Sequence, residues 1–221
     1  MKLLVTAGPT REPLDPVRYL SNRSSGKMGY AIAQAALDAG HEVVLISGPV
    51  ALEAPTGVLV VNVTTSEEMF MAVHARVMDA DVCVLCAAVA DFRPATVESH
   101  KIKKGGRSSL TLELVPTRDI LRSLRDLPRK ENDPRPVVVG FAAETDNVIE
   151  HAKEKLRAKG CALIVANDVS RADIGFESDE NELTLLFASG EMRTLPRSPK
   201  NVLADVLVKI FAGFLQNVVD G

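Results

Sequence analysis

The chain has 221 residues, enough for a sizeable core, and its length fits one large domain better than two. It is 46% hydrophobic, 25% charged and only 4% aromatic, with a net charge of −3 and a pI near 5.9. That balance excludes the basic surface that nucleic acid or an anionic membrane attracts, and the aromatic stock of a single-strand stacking platform.

The first apolar run, Met1 to Val5, breaks at Thr6-Ala7-Gly8-Pro9, too early for a secretory signal. No stretch approaches the roughly 18 apolar residues of a membrane span, so a cytoplasmic chain is expected. A strand is predicted at 3–5. A long polar loop follows and ends in Ser24-Ser25-Gly26 just where a helical pattern begins, at 25–39. Loops of that length inside a compact domain are usually functional. A loop ending at a helix N-terminus presents backbone N–H groups and the positive end of the dipole, which favours an anion. A phosphate-bearing ligand is expected there.

Further strands are predicted at 42–47, 58–63, 82–86, 137–141 and 162–166, and helices at 66–79, 117–127 and 147–159. Gly40 and Gly160 stand where helix-ending glycines belong, and Thr65-Ser66-Glu67-Glu68 has the form of a capping box. Alternating β and α units imply an α/β, doubly wound, mostly parallel Rossmann-like sheet. The end of the chain differs: 182–187 and 191–195, joined by Ala188-Ser189-Gly190, predict an antiparallel hairpin, and a last helix is predicted at 199–218. The polar segment 130–136 reads as a surface loop, and residues 1–221 as a single domain.

Three cysteines are no disulfide framework. Cys83-Val84-Leu85-Cys86 lies inside a strand pattern, where residues three apart face opposite sides, so a structural role is expected rather than a redox pair. The first strand–loop–helix lacks GxGxxG, the second strand ends at Ile46-Ser47-Gly48-Pro49 with no acid placed for a ribose 2′-OH, and no Tyr-x-x-x-Lys pair exists. A nicotinamide reductase therefore rests on fold class alone.

Chemistry concentrates at the predicted carboxyl ends of strands. In Cys86-Ala87-Ala88-Val89-Ala90-Asp91, small residues admit a ligand to the backbone. Asp91 is open to two readings: acceptor for a hydroxyl or hydrated Mg²⁺, or solvated strand-end acid. Lys101-Ile102-Lys103-Lys104-Gly105-Gly106 reads either as a basic flap over phosphates or as a charged surface turn. Phe141, in Gly140-Phe141-Ala142-Ala143-Glu144-Thr145, could stack on a base or belong to the core. Lys155 and Lys159 share a helix face and serve either a ligand or the helix dipole. Asn167 ends Val165-Ala166-Asn167-Asp168, with Gly175-Phe176 in the loop beyond. The four histidines have no ligand spacing, and there is no Ser/His/Asp triad and no zinc site.

Together these segments resemble the phosphopantothenoylcysteine synthetases, the phosphopantothenate–cysteine ligases of coenzyme A biosynthesis. The matching motifs are TAGPTRE, DPVRYLSNRSSGKMG, SGPV, CAAVADFRP, KIKK, GFAAET and AND, in family order from residue 6 to 168. The resemblance implies attack of the 4′-phosphopantothenate carboxylate on the nucleotide α-phosphate, with CTP expected over ATP, and then amide formation by cysteine. Mg²⁺ and a homodimer are implied as well. Asn22 would hold the acyl-cytidylate. Ala87, Ala88 and Asp91 would line the phosphopantothenate site, and Arg18 would reach its phosphate from the partner subunit. Gly8, Ser24, Gly26 and Gly29 match phosphate-side contacts, and Lys101 matches the flap lysine. Asp91, Asp119, Phe141, Lys155, Lys159 and Asn167 match the nucleotide pocket, and the resemblance names no metal ligands. The chain is similar to the stand-alone bacterial form, or to that half of a longer chain, with the decarboxylase activity expected on a separate chain. One departure stands out: Arg118 takes the place of a family proline in Pro116-Thr117-Arg118-Asp119-Ile120. A non-catalytic nucleotide-binding subunit is the remaining alternative.

Overall fold

The computed structural model describes residues 1–106, 108–128, 136–144, 146–168 and 178–216. Thr145, Gly175, Phe176, most of segment 130–136 and the predicted helix end at 217–218 lie outside them. Eight strands form one sheet: β1 (Lys2–Ala7), β4 (Glu42–Ser47), β5 (Leu59–Asn62), β6 (Val82–Leu85), β9 (Val137–Glu144), β10 (Leu163–Asp168), β11 (Glu180–Phe187) and β12 (Met192–Pro199). Their spatial order is β12-β11-β10-β9-β6-β1-β4-β5. All pairs from β5 to β10 are parallel, and β10-β11-β12 are antiparallel, as the sequence predicts. Two short ribbons stand apart from the sheet: β2 (Glu12–Pro13) with β3 (Tyr19–Leu20), and β7 (Phe92–Pro94) with β8 (Leu114–Pro116).

The side-chain alternation of each strand sorts the core into two layers. Leu3, Val5, Val43, Val84, Val139 and Val165 face one way, where α1 (Lys27–Asp38) and α5 (Lys200–Gln216) cover them. Leu4, Val44, Ile46, Cys83, Val138 and Ile164 face the other way, under α2 (Ser66–His74), α3 (Ile120–Ser123) and α4 (Val148–Lys159). Cys83 sits in the second layer and Cys86 packs against the first, so the two thiols point apart. Burial pushes the Cys83 thiol up to about 12, far from a reactive thiolate.

Helix ends follow local chemistry. Thr65 Oγ1 accepts from Glu68 N–H while the Glu68 carboxylate reaches back to Thr65 N–H, the capping box expected. The buried Glu12 accepts from Ser66 N–H at 2.8 Å and thereby docks the long loop on the same helix. Gly40 and Gly160, both at positive φ, end α1 and α4.

Two predicted helices are shorter than their sequence patterns. The 66–79 pattern stops at His74 and resumes as a 3₁₀ turn, Val77–Asp79. Of 117–127 only Ile120–Ser123 is helical. Thr117 is bound elsewhere: its N–H donates to Asp91 O at 2.9 Å and its hydroxyl to Ala90 O at 2.6 Å. Asp119, whose carboxylate accepts from Arg122 N–H, then becomes the cap, and the helix starts three residues later than the pattern, at Ile120.

Candidate active site

Strand order reverses at β1, which has β4 on one side and β6 on the other. In open α/β sheets the crevice beyond the carboxyl ends at such a point is where ligands bind. Here the loops after β1 and β6 are stitched together across that crevice. Ala88 N–H donates to Gly8 O at 2.9 Å, and Thr10 N–H to Ala88 O at 3.2 Å. The hydroxyls of Thr6 and Thr10 accept from Ala87 and Ala90 N–H.

Close packing holds the β1 side. A Cβ on Gly29 would lie 2.6 Å from Ala7 Cβ, so glycine lets α1 press onto β1. A Cβ on Gly48 would lie 1.9 Å from Pro9 O, which no other residue could relieve without moving the loop. Gly26 (φ 79°) occupies the cap position of α1 with no side-chain cap. The first turn of α1 thus opens onto the crevice with the positive end of its dipole.

Asn22 ties this corner together. Its amide Nδ2 donates to Ala88 O at 2.6 Å, and its Oδ1 accepts from Ser24 N–H at 3.0 Å. A cavity of about 320 Å³ lies between these groups. Its lining includes Asn22, Ser24, Gly26 and Gly29 from the α1 side, and Ala87, Ala88 and Asp91 from the loop after β6. Phe141, Lys155 and Asn167 close it from β9, α4 and β10.

A second cavity of similar size shares Ala87, Asp91, Phe141 and Lys155 and adds Asp119 and Lys159. Lys155 Nζ donates to Phe141 O at 3.3 Å, and Lys159 pairs with Asp119. Partial burial works to raise the Asp119 carboxyl, but the Lys159 ammonium, the Arg122 N–H and the nearby Lys155 outweigh it and hold it below the usual carboxylate range. Arg118 stands at the edge of this second cavity, where its guanidinium lies 4.7 Å over the Phe70 ring and 3.4 Å from the Glu67 carboxylate.

Twelve positions named from the sequence therefore line these two adjoining cavities: Asn22, Ser24, Gly26, Gly29, Ala87, Ala88, Asp91, Asp119, Phe141, Lys155, Lys159 and Asn167. Gly8 lies just behind them, packed on Val50 and Gly48. Arg18 and Lys101 line neither cavity. Arg18 is bound to Asp15 and to the Ile102 carbonyl, and Lys101 stands on the exposed segment beside it.

Sequence reasoning missed Lys200 and Asn181, both buried and both lining the first cavity. They arrive from the far end of the chain, at the starts of α5 and β11, and no local motif marks them. Burial and the nearby Lys27 lower the pKa of Lys200. Among the described residues, no group of three or more His, Cys, Asp or Glu could hold a metal ion, and no helix is long and apolar enough to cross a membrane.

This is a doubly wound α/β domain whose ligand crevice, lined by a helix N-terminus and several lysines, suits an anionic ligand and lacks a dinucleotide fingerprint. The chain belongs to the family described as DNA/pantothenate metabolism flavoprotein C-terminal domain, whose model matches residues 1–214.

It is 47% identical over 208 residues to the coenzyme A biosynthesis bifunctional protein CoaBC of Vibrio vulnificus (strain CMCP6), covering 94% of this chain and 51% of that protein. The CoaBC of Escherichia coli (strain K12) is 49% identical over 210 residues, covering 94% and 50%. The chain thus spans about half the length of these curated relatives. The crystal structure of the C-terminal domain of a CoaBC superposes with a TM-score of 0.81 at 40% identity, covering 98% of this chain and 96% of that one. A mutant Cab2 in complex with phosphopantothenate-cysteine shares the fold at a TM-score of 0.79 and 16% identity, covering 99% and 87%. The relatives are bifunctional single chains, unlike the separate-chain arrangement expected for the decarboxylase. They give the reductase alternative no support.

Proposed function

We propose that this chain is a CTP-dependent phosphopantothenate–cysteine ligase of coenzyme A biosynthesis. The observation that carries the reading is the crevice itself. Asn22, the N-terminus of α1 and the Phe141–Lys155–Asn167 wall surround one cavity, in a chain about half identical to coenzyme A biosynthesis proteins.

The chemistry matches what the crevice offers. A substrate carboxylate oxygen attacks the α-phosphorus of CTP, the bond to the β-phosphate oxygen breaks, and pyrophosphate leaves. The cysteine amine then attacks the acyl carbon of the mixed anhydride. CMP departs, the amine gives up a proton and the amide forms. Both reactants are anions, so the work of the site is to hold them together against their repulsion. The first turn of α1 and the Lys155 ammonium do this with N–H donors and positive charge. The nucleophile belongs to the substrate, so no Ser, Cys or His nucleophile is needed.

In this reading Gly8, Ser24, Gly26 and Gly29 border the polyphosphate, and Phe141, Asp119, Lys155, Lys159 and Asn167 the nucleotide. Asn22, Ala87, Ala88 and Asp91 border the acyl-cytidylate. Arg18 and Lys101, which stand outside the cavity, act on the crevice of a partner subunit in a homodimer. Mg²⁺ would travel with CTP, held mainly by phosphate oxygens and water, with the cavity-lining Asp91 the carboxylate that would accept its water shell, and would neutralise charge on the leaving pyrophosphate.

The test is direct. The purified chain should release pyrophosphate from CTP only when 4′-phosphopantothenate is present, and form amide only when cysteine is added, with ATP a poorer substrate. Absence of CTP turnover under these conditions overturns the proposal.

A further inference from the structure

The Asp15 carboxylate is almost completely sealed, at 3% exposure, in a loop whose neighbours Pro16, Val17 and Arg18 are exposed. Each of its oxygens has a separate task. Oδ1 accepts from Val17 and Arg18 N–H, both at 2.8 Å, and closes a local turn of the Asx kind. Oδ2 accepts from Arg18 Nε at 3.1 Å and, across 87 positions of sequence, from Ile102 N–H at 3.0 Å. The same guanidinium donates back to the Ile102 carbonyl. Just upstream, Glu98 N–H donates to Leu14 O at 3.0 Å. Ile102 is the residue between Lys101 and Lys103. One carboxylate oxygen and one guanidinium thus bind the root of the basic flap to the arginine loop from both sides. The Arg18 side chain remains 43% exposed, which leaves room for an anion on its outer side.

We propose that Asp15 is a positioning residue that joins Arg18 to the root of the Lys101 flap, so that the phosphate-binding guanidinium and the flap lysine are presented as one cationic arm. The inference rests on the functional reading for the roles of Arg18 and Lys101; the clamp itself rests on geometry. A plain turn-forming aspartate would need only Oδ1. The second oxygen, buried and aimed at a distant backbone N–H and a guanidinium, is what turn formation leaves unexplained. Neither Arg18 nor Lys101 reaches the crevice of its own chain, so fixing them to each other keeps both in register for whatever crevice they serve.

Asp15→Asn separates the two tasks. An amide oxygen still accepts from Val17 and Arg18, whereas an NH₂ group in place of Oδ2 faces the Ile102 N–H and the guanidinium donor against donor. Two readouts that need no turnover are measured together. One is the calorimetric Kd for 4′-phosphopantothenate, with unphosphorylated pantothenate as control; the other is the rate of tryptic cleavage after Lys101, Lys103 and Lys104. The expected result is about tenfold weaker binding of the phosphorylated compound only, together with cleavage accelerated by about tenfold, in a variant that remains folded at the assay temperature. If either readout stays at the wild-type value, the carboxylate is a local staple and the inference falls. Should the variant fail to fold, Ile102→Pro removes the flap N–H and leaves the Asp15 turn intact, though the ring also fixes the flap backbone at that residue. Unchanged phosphopantothenate binding in that variant overturns the inference equally. A wild type that binds phosphopantothenate yet forms no amide counts against the ligase reading and leaves the clamp to be decided by these two measurements.

Discussion

The two halves of the candidate machinery are built by opposite means. The crevice corner around β1 is held by close backbone approach: Gly29 against Ala7, Gly48 against Pro9, and cross-loop hydrogen bonds between residues 8–10 and 87–90. The cationic arm of Arg18 and Lys101 has no such packing. It projects from two-stranded ribbons with exposed Val17, Tyr19, Phe92 and Leu114, and a few hydrogen bonds centred on the Asp15 carboxylate and the Arg18 guanidinium hold its pieces together. Steric constraint fixes a position to a fraction of an ångström and yields only at large cost. A hydrogen-bonded clamp on the surface is weaker and can be adjusted. Such a division would suit the proposed ligase, which has to hold a nucleotide α-phosphate in place while admitting and releasing substrates.

The sharpest way to break this contrast is Gly48→Ala. The added methyl would sit 1.9 Å from the Pro9 carbonyl oxygen, inside any tolerable contact, so the loop after β1 must move. We expect a loss of about 3 kcal/mol or more of stability, or failure to fold, since overpacking of buried backbone belongs to the severe classes of substitution. Urea unfolding checks it. A midpoint equal to that of the wild type would show that the corner is not rigid.

The difference between the two regions also explains what could be read from the sequence. The sheet was legible because its central strands carry short continuous apolar runs, buried on both faces and set between helical patterns, and the crevice because its glycines and small residues cluster at element ends. The short ribbons β2–β3 and β7–β8 were not, since two or three residues carry no period. The 117–127 pattern misled because Thr117 is committed to Ala90 and Asp91, a long-range demand that local propensity does not register. Lys200 and Asn181 reach the cavity only through the path of the C-terminal hairpin, and the pairing of Asp15 with Ile102 spans loops whose separation in sequence hides it.

Within the crevice the next largest effect is expected from Asn22→Asp. The exposed Asn22 donates from Nδ2 to Ala88 O at 2.6 Å, and a carboxylate oxygen would meet that carbonyl with like charge while Oδ1 kept its bond to Ser24 N–H. Stability should change by only about 1 kcal/mol, because the lost hydrogen bond is open to water. Amide formation should fall by about a hundredfold, because an added negative charge stands beside an anionic intermediate. Unfolding midpoints and single-turnover assays separate the two effects. Normal turnover would remove Asn22 from the mechanism and leave it a loop tether.

The smallest effect concerns the arm and comes from pH. Desolvation works to raise the Asp15 carboxyl, but N–H donors from Ile102, Val17 and Arg18 and the charge of the Arg18 guanidinium outweigh it and hold it at about 2, below the usual 3.8. A group whose pKa is lower in the folded state binds its proton more readily when unfolded, so its contribution is complete above about pH 4. As pH falls from there through about 2, the proton is taken up and the contribution disappears. The gap in melting temperature between wild type and Asp15→Asn should therefore be constant from pH 5 to 7 and should narrow between pH 4 and 2. Gly48→Ala, which changes no charge, should keep its gap over the same range. A gap for Asp15→Asn that is independent of pH throughout would mean that the carboxylate charge adds nothing to the clamp, and that the arm, like the crevice, is held without any contribution from ionised groups.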